Sequence, residues 1–596
     1  MKNKWREIQM RKKVKVSFPM LKKSVEMPEN SKISEACEAV GLPLNLVCGG
    51  KGKCKKCAVN IKTDNTVKSV LSCQTKVSEG LQILIRDKDV QAQILTESIL
   101  KDIRLNPSLS SKYIPAENLK TEMAGNDWDT LEKILGQSLH KPPLDIIQKI
   151  SNTFHHPDGI TCVLNNNVLV DVIQGKSDPL LALAVDIGTT TVVGYLYDMK
   201  TLKLVGIKSM LNKQTQIGGD VISRIDYSIN TPGGLEKLHS LIIETVNGII
   251  NELCDEYQVD KNFIYQATFC GNSTMQHLFL KILPAYLGKI PFSSATHQEL
   301  TTTASKLDID IHPYGHITFL PLLGGFVGAD TTAVLMTLPD DNKNRLVVDL
   351  GTNGEIAVGK GTMYKVASTA CGPALEGAGL AFGMGGTSGA IERFYILDGK
   401  VSYKVIGDVK PKGICGSGVI DIISELLVNG IITDQGALRN PEEIEEPDLS
   451  KRVIPWEKSK AFVVCFGNET ETGKPILITQ IDIRQVQLAK GAISTGCRLL
   501  TEKCGLKLED IDEILMAGAF GNYIAIRNAE IIGMIPHPPG ITGRAIGNAA
   551  GTGCQMHLLS SEKQDFCHEI AENAVHIELA SDPDFATKYI MNISFK

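Results

Sequence analysis

The chain has 596 residues, 43% hydrophobic and 22% charged, with a formal net charge of −5. That length exceeds what one hydrophobic core sustains, so several domains are expected. No apolar run is long enough to span a bilayer, and the basic N-terminus lacks the apolar core of a secretory signal, so a cytoplasmic protein with no membrane partner is expected.

The charge is unevenly spread. Residues 1–90 carry 19 Lys+Arg and 9 Asp+Glu, a net of +10, which leaves 43 and 58 for the remainder, a net of −15. Nucleic acid is not the expected partner of the basic head, because Lys51, Lys53, Lys55 and Lys56 surround a cysteine group whose bound cluster would itself be anionic. A solvated lysine face and a docking surface for an acidic protein remain open.

In chain order, Val14–Ser17 and Ser24–Met27 read as a β-hairpin and Ser34–Val40 as a helix. Cys48, Cys54, Cys57 and Cys73 come next in the spacing C-x5-C-x2-C-x15-C, with strands at Ala58–Lys62 and Leu81–Ile85. This order predicts a β-grasp, plant-type ferredoxin domain over 11–90. The four thiolates would hold a [2Fe–2S] cluster, with Gly49, Gly50 and Gly52 turning backbone N–H groups toward the sulfurs. The plant spacing begins C-x4-C, and structural zinc is the alternative, although zinc sites favour two C-x2-4-C pairs where this chain has one. Cys37, on the preceding helix, reads as a core thiol. Residues 91–178 read as a linker and small connecting domain without recognisable chemistry.

From Leu181 the texture becomes α/β, and it repeats. Val185-Asp-Ile-Gly-Thr-Thr190 returns as Val348-Asp-Leu-Gly-Thr-Asn353, each after an apolar run and before another apolar strand. Two related lobes are predicted, 179–342 and 343–596. Asp186 and Asp349 would hold magnesium water. Gly188, Thr189, Thr190 and Thr191, with Gly351, Thr352 and Asn353, would clamp phosphate from two sides. A third turn, Gly518-Ala519-Phe520-Gly521 after the apolar strand Ile511–Met516, offers bare backbone to an adenosine. Asp482 is expected to cap the helix that backs it. Asp330 would either face the γ-phosphate or N-cap the helix Thr331–Met336. Loop structure and partner contact both remain open for the segment around Glu376. No P-loop or dinucleotide fingerprint competes.

Taken together, the chain resembles the reductive activators of corrinoid proteins, which join an N-terminal [2Fe–2S] ferredoxin domain to a two-lobed ASKHA (actin/Hsp70-like) ATPase. The resemblance rests on Cys48-Gly-Gly-Lys-Gly-Lys-Cys54-Lys-Lys-Cys57, the two Asp-x-Gly-Thr loops, Cys270-Gly-Asn-Ser-Thr-Met275, Thr369-Ala-Cys-Gly-Pro-Ala-Leu-Glu-Gly377, Ile414-Cys-Gly-Ser-Gly418 and Ala517-Gly-Ala-Phe-Gly521. It implies an α+β and α/β multidomain protein that uses ATP and Mg2+ to pass one electron from the cluster to cob(II)amide on a corrinoid protein. It also implies an upstream low-potential donor and leaves a homodimer open. ATP would be needed because plant-type clusters sit near about −400 mV and the acceptor is harder to reduce. A nucleotide coupling of about 3 kcal/mol supplies about 120 mV for one electron. Three other readings stay open: electron donation to a different low-potential enzyme, a redox-sensing switch, and a small-metabolite kinase.

Overall fold

The computed structural model describes residues 13–19, 23–39, 58–63, 66–84, 103–120, 125–351, 353–376, 379–386, 389–407, 409–518, 524–541 and 543–595. They fall into two compact units that divide between Arg104 and Leu105.

In the smaller unit, Lys13–Phe18 and Lys23–Pro28 pair antiparallel, Val16 opposite Val25. The five-stranded sheet runs, by neighbour, Lys23–Pro28, Lys13–Phe18, Gln82–Leu84, Ala58–Thr63, Thr66–Leu71. The first strand alternates because Val14, Val16 and Phe18 point inward while Lys13 and Lys15 face water. The helix Ile33–Ala39 lays Ile33, Ala36 and Cys37 on that face. Burial pushes the Cys37 thiol up to about 12, so it stays protonated in the core as the sequence suggested. The strand Thr66–Leu71 was not foreseen, because its Lys68 and Ser69 break the apolar run.

The larger unit opens with a three-stranded antiparallel sheet, Leu109–Ile114, Ile160–Asn165 and Val168–Gln174, joined by the helices Asp127–Leu135 and Leu144–Thr153. This connecting piece is fastened to the first lobe through polar atoms. The buried Asp171 carboxylate accepts from Lys149 Nζ at 2.5 Å and from Tyr265 OH at 3.1 Å, and His312 Nε2 lies 3.3 Å away. Although burial alone would raise it, those partners hold Asp171 down at about 2.

Beyond it stand two six-stranded sheets whose connectivity matches. The first runs Lys203–Leu211, Thr191–Asp198, Leu181–Ile187, Ile264–Gly271, His316–Phe319, Leu300–Thr303. The second runs Met363–Thr369, Gly354–Lys360, Arg345–Leu350, Glu513–Ala517, Arg544–Gly547, with Val575–His576 beside Met363–Thr369. In each, an antiparallel three-strand meander precedes two strands added in parallel on the far side of the Asp-bearing strand; the sixth strand differs, Leu300–Thr303 pairing antiparallel with His316–Phe319 in the first sheet and Val575–His576 joining the meander edge in the second. This is the ASKHA fold. The repeat of six residues seen in the sequence therefore marks the same position in two sheets of like strand order.

Candidate functional site

Each Asp-bearing strand ends at the same kind of turn. The Gly188 N–H donates to Thr191 O at 3.0 Å, and a Cβ on Gly188 would stand 2.5 Å from that oxygen. Gly351 N–H donates to Asn353 O at 3.0 Å. Thr189 is buried, its hydroxyl receiving a bond from Asn272 Nδ2 at 3.0 Å, whereas Thr190 and Thr191 are exposed. Asn272 also N-caps the helix Ser273–Phe279 through Met275 N–H.

The strand parallel to each Asp-bearing strand supplies a second glycine. Cys270 lies opposite Asp186 and Ala517 opposite Asp349, so Gly271 and Gly518 come at equivalent places. Gly271 has φ +155° and Gly518 φ +104°. A Cβ would meet Ile187 O at 2.6 Å in the first lobe and Leu350 O at 2.6 Å in the second, and at Gly518 also Asp349 Oδ1 at 2.8 Å. Both positions need backbone without a side chain.

Asp186, Asp330 and Asp349 are all partly buried and feel one another. Burial raises Asp349 to about 8, with the charges of Asp330 and Asp186 adding to the effect. Asp186 rises to about 6 through burial, opposed by hydrogen bonds from Asn548 and Cys270, whose thiol lies 3.8 Å from Asp186 Oδ1. Asp330 rises to about 6, again mainly through burial and secondarily through Asp186, against the Thr331 N–H bond at 2.8 Å. Three interacting carboxyls at one place form a site that gains from positive charge. Among the described residues no group of three His, Cys, Asp or Glu is arranged to hold a metal ion directly.

Asp330 does not cap its helix. The helix runs Ala329–Met336 with Gly328 as N-cap, which places Asp330 inside the first turn. A Cβ on Gly328 would meet Asp330 Oδ1 at 2.7 Å and Asn272 Cα at 2.4 Å, so the small residue brings the two segments together. Asp482 likewise stands three residues inside Gln480–Lys503, whose N-cap is Thr479. The two form a capping box, with Asp482 Oδ2 accepting from Thr479 N–H at 2.8 Å.

Cys48, Cys54, Cys57, Thr352, Ala519, Phe520, Gly521 and the side chain of Glu376 lie outside the described residues. Cys73 is fully buried in a turn and accepts from Gln74 Nε2 at 3.7 Å. Beside it the buried Ser72 hydroxyl has no partner among the described residues, a donor that a cluster sulfur would satisfy.

Sequence reasoning missed four side chains that shape the site: Asn212, Arg224, Asn272 and Asn548. Asn548 N-caps the helix Ala549–Leu559, and its Nδ2 reaches Tyr195 OH at 3.3 Å. Asn272 alone lies in a recognisable motif; the others carry no local signal.

Comparison with known proteins agrees with this architecture. Residues 20–78 match the 2Fe–2S iron–sulfur cluster binding domain, 181–340 the RACo middle region, and 343–596 the C-terminal domain of RACo, the ASKHA domain. The chain is 45% identical over 587 residues to the corrinoid activation enzyme RamQ of Eubacterium limosum, covering 98% of this chain and 99% of that one. The chain belongs to the family of corrinoid activators. A [Co(II) methylated amine-specific corrinoid protein] reductase of Methanosarcina barkeri is 25% identical, over 70% of this chain and 77% of its own. The solved structure of a reductive activator for a corrinoid, iron–sulfur protein superposes with a TM-score of 0.73 at 30% identity, covering 98% of both chains. Among the described residues of this activator no helix is long and apolar enough to cross a membrane.

Proposed function

We propose that this chain reductively activates a corrinoid protein, delivering one electron to cob(II)amide to give cob(I)amide, with ATP hydrolysis as the driving step. The observation that carries the nucleotide half is the convergence of Asp186, Asp330 and Asp349 between two equivalent glycine turns. The electron half rests on family membership and on Cys73 beside the Ser72 hydroxyl, which has no partner among the described residues.

A [2Fe–2S] cluster, when bound by Cys48, Cys54, Cys57 and Cys73, supplies a one-electron store. In the cleft, the exposed Thr190 and Thr191 hydroxyls and the N–H groups of Thr189, Thr190 and Thr191 would donate to phosphate oxygens. Asp186, Asp330 and Asp349 would accept hydrogen bonds from the waters of a magnesium ion that arrives with the triphosphate, and Gly518, bare of a side chain, would let the nucleotide approach backbone. Because Asp349 is raised to about 8 in its absence, binding of a cation near pH 7 would favour the ionised carboxylate and release a proton chiefly from that residue. Closing the lobes on ATP would then change the grip on the corrinoid protein, and consumption of cob(I)amide by methyl transfer would pull the transfer forward. An upstream low-potential donor refills the store.

The test is anaerobic. ATP hydrolysis and cob(I)amide absorbance are followed together with a corrinoid protein and a low-potential reductant. ATP-dependent cob(I)amide is the expected result. Hydrolysis without cobalt reduction favours a switch, and a phosphorylated metabolite favours a kinase; either outcome rejects the proposal. Cys54→Ala should abolish electron delivery and leave nucleotide binding intact.

A further inference from the structure

The first phosphate loop is held from one side by a single short segment of chain. Three successive carbonyls are engaged: Gly188 O by Asn212 Nδ2 at 3.0 Å, Thr189 O by Arg224 Nη2 at 2.5 Å, and Thr190 O by the Asn212 N–H at 2.8 Å. In a trans peptide the following N–H points opposite to the carbonyl. Anchoring these oxygens therefore turns the N–H groups of Thr189, Thr190 and Thr191 away from Asn212 and Arg224.

Arg224 is the unusual member. It lies on the helix Val221–Asn230 and is completely buried. Besides Thr189 O, its guanidinium donates to Gly218 O at 2.9 Å and Gln214 Oε1 at 3.0 Å, and approaches Met275 Sδ at 3.3 Å. Gln214 is itself fixed, its N–H to Asn212 Oδ1 at 3.0 Å and its Nε2 to Leu238 O at 2.9 Å. Asp220, the helix N-cap, is the nearby acid whose carboxyl Arg224 helps to lower. Burying a guanidinium is costly, and only a rigid fork satisfies so many acceptors at once. Lysine has the charge but not the fork.

We infer that Arg224 is a positioning residue of the nucleotide site: its guanidinium, with Asn212, locks the loop Gly188–Thr190 so that backbone donors face the phosphates, and its buried charge favours the anion. The inference rests on the proposed ATP site and deepens it. Arg224 need not touch the nucleotide; it acts through the Thr189 carbonyl.

The experiment titrates MgATP calorimetrically onto the full wild-type chain, Arg224→Ala and Arg224→Lys, with thermal unfolding as the check on folding and with or without ethylguanidinium. Hydrogen bonds from a charged donor of this kind are worth about tenfold or more in binding. Arg224→Ala should therefore weaken MgATP by about that factor, and ethylguanidinium should recover part of the loss. An affinity within twofold of wild type, or a loss that ethylguanidinium leaves untouched, overturns the inference. Should Arg224→Ala not fold, Arg224→Lys decides: an unchanged midpoint with weakened MgATP supports it, and unchanged affinity or a loss that tracks a lowered midpoint overturns it. If the wild type itself does not bind MgATP, the ATP reading fails instead.

Discussion

In the first lobe, the loop after Asp186 is braced by side chains from elsewhere: Asn212, Arg224 and Asn272 all reach it. In the second lobe, the contacts to the loop after Asp349 among the described residues are its own Gly351–Asn353 bond and a long contact from Cys371 Sγ to Gly351 O at 3.9 Å. The sheets are equivalent, and so are the glycines at 271 and 518, yet the supports differ. The first loop is fixed in advance by a polar network. At the second, the missing Cβ of Gly518 leaves room for the Asp349 carboxylate. The electrostatics differ accordingly: Asn548 and Cys270 donate to Asp186 and hold it near 6, whereas Asp349 climbs to about 8.

The largest effect should come from the less supported carboxylate. Asp349→Asn is expected to lower ATP hydrolysis about 100-fold or more while leaving the visible spectrum of the cluster unchanged. A spectrum lost together with hydrolysis would break the separation of nucleotide and cluster functions.

Next, Gly518→Ala should weaken nucleotide binding more than Gly271→Ala, because only at 518 would the added methyl press on a carboxylate as well as a carbonyl. Each forces a residue into a backbone region costing about 1–3 kcal/mol, readable as a lowered unfolding midpoint in both variants. Equal effects on binding would remove the asymmetry.

Acidity offers a third measure. Asp186, Asp330 and Asp349 are raised in the folded state, so the stability they favour is complete below the ordinary aspartate range and is lost as pH rises through about 6 and then about 8. The unfolding midpoint of the nucleotide-free protein should fall between pH 6 and pH 8, and Asp349→Asn should flatten the upper part of that fall. MgATP binding at pH 7 should release protons, seen as a dependence of the binding enthalpy on the buffer. A midpoint that rises over the same range would contradict the carboxyl cluster.

The smallest effect is expected at Asn548→Ala. Loss of its hydrogen bond should move the Asp186 titration upward by about one unit or less, shifting the pH profile of hydrolysis more than its maximum. A lowered maximum with an unmoved profile would assign Asn548 to helix capping alone.

Much of this was legible in the chain itself. A strand that ends in Asp-x-Gly-Thr is a local signal, since the alternating apolar run, the acid and the turn residue are adjacent, and its recurrence announced two lobes. The ferredoxin hairpin was equally local. What could not be read depended on distance: Arg224 sits 35 positions after the carbonyl it holds, and Asn548 meets Tyr195 across 353 positions. Asp330 shows the same limit. Its sequence neighbourhood fitted a cap, but Gly328 takes that place and packs against Asn272, leaving Asp330 inside the first turn.

By itself, then, the order of residues determined the hairpin at the start, the strands that carry the two acids, where those strands must turn, and that a cysteine loop precedes a duplicated acid-and-glycine turn. Tertiary structure decided which acids meet, how far their protons are held, and which remote side chains brace the first loop. Backbone turns are set by neighbours a few bonds away, whereas desolvation and buried hydrogen bonds exist only once distant segments exclude water together.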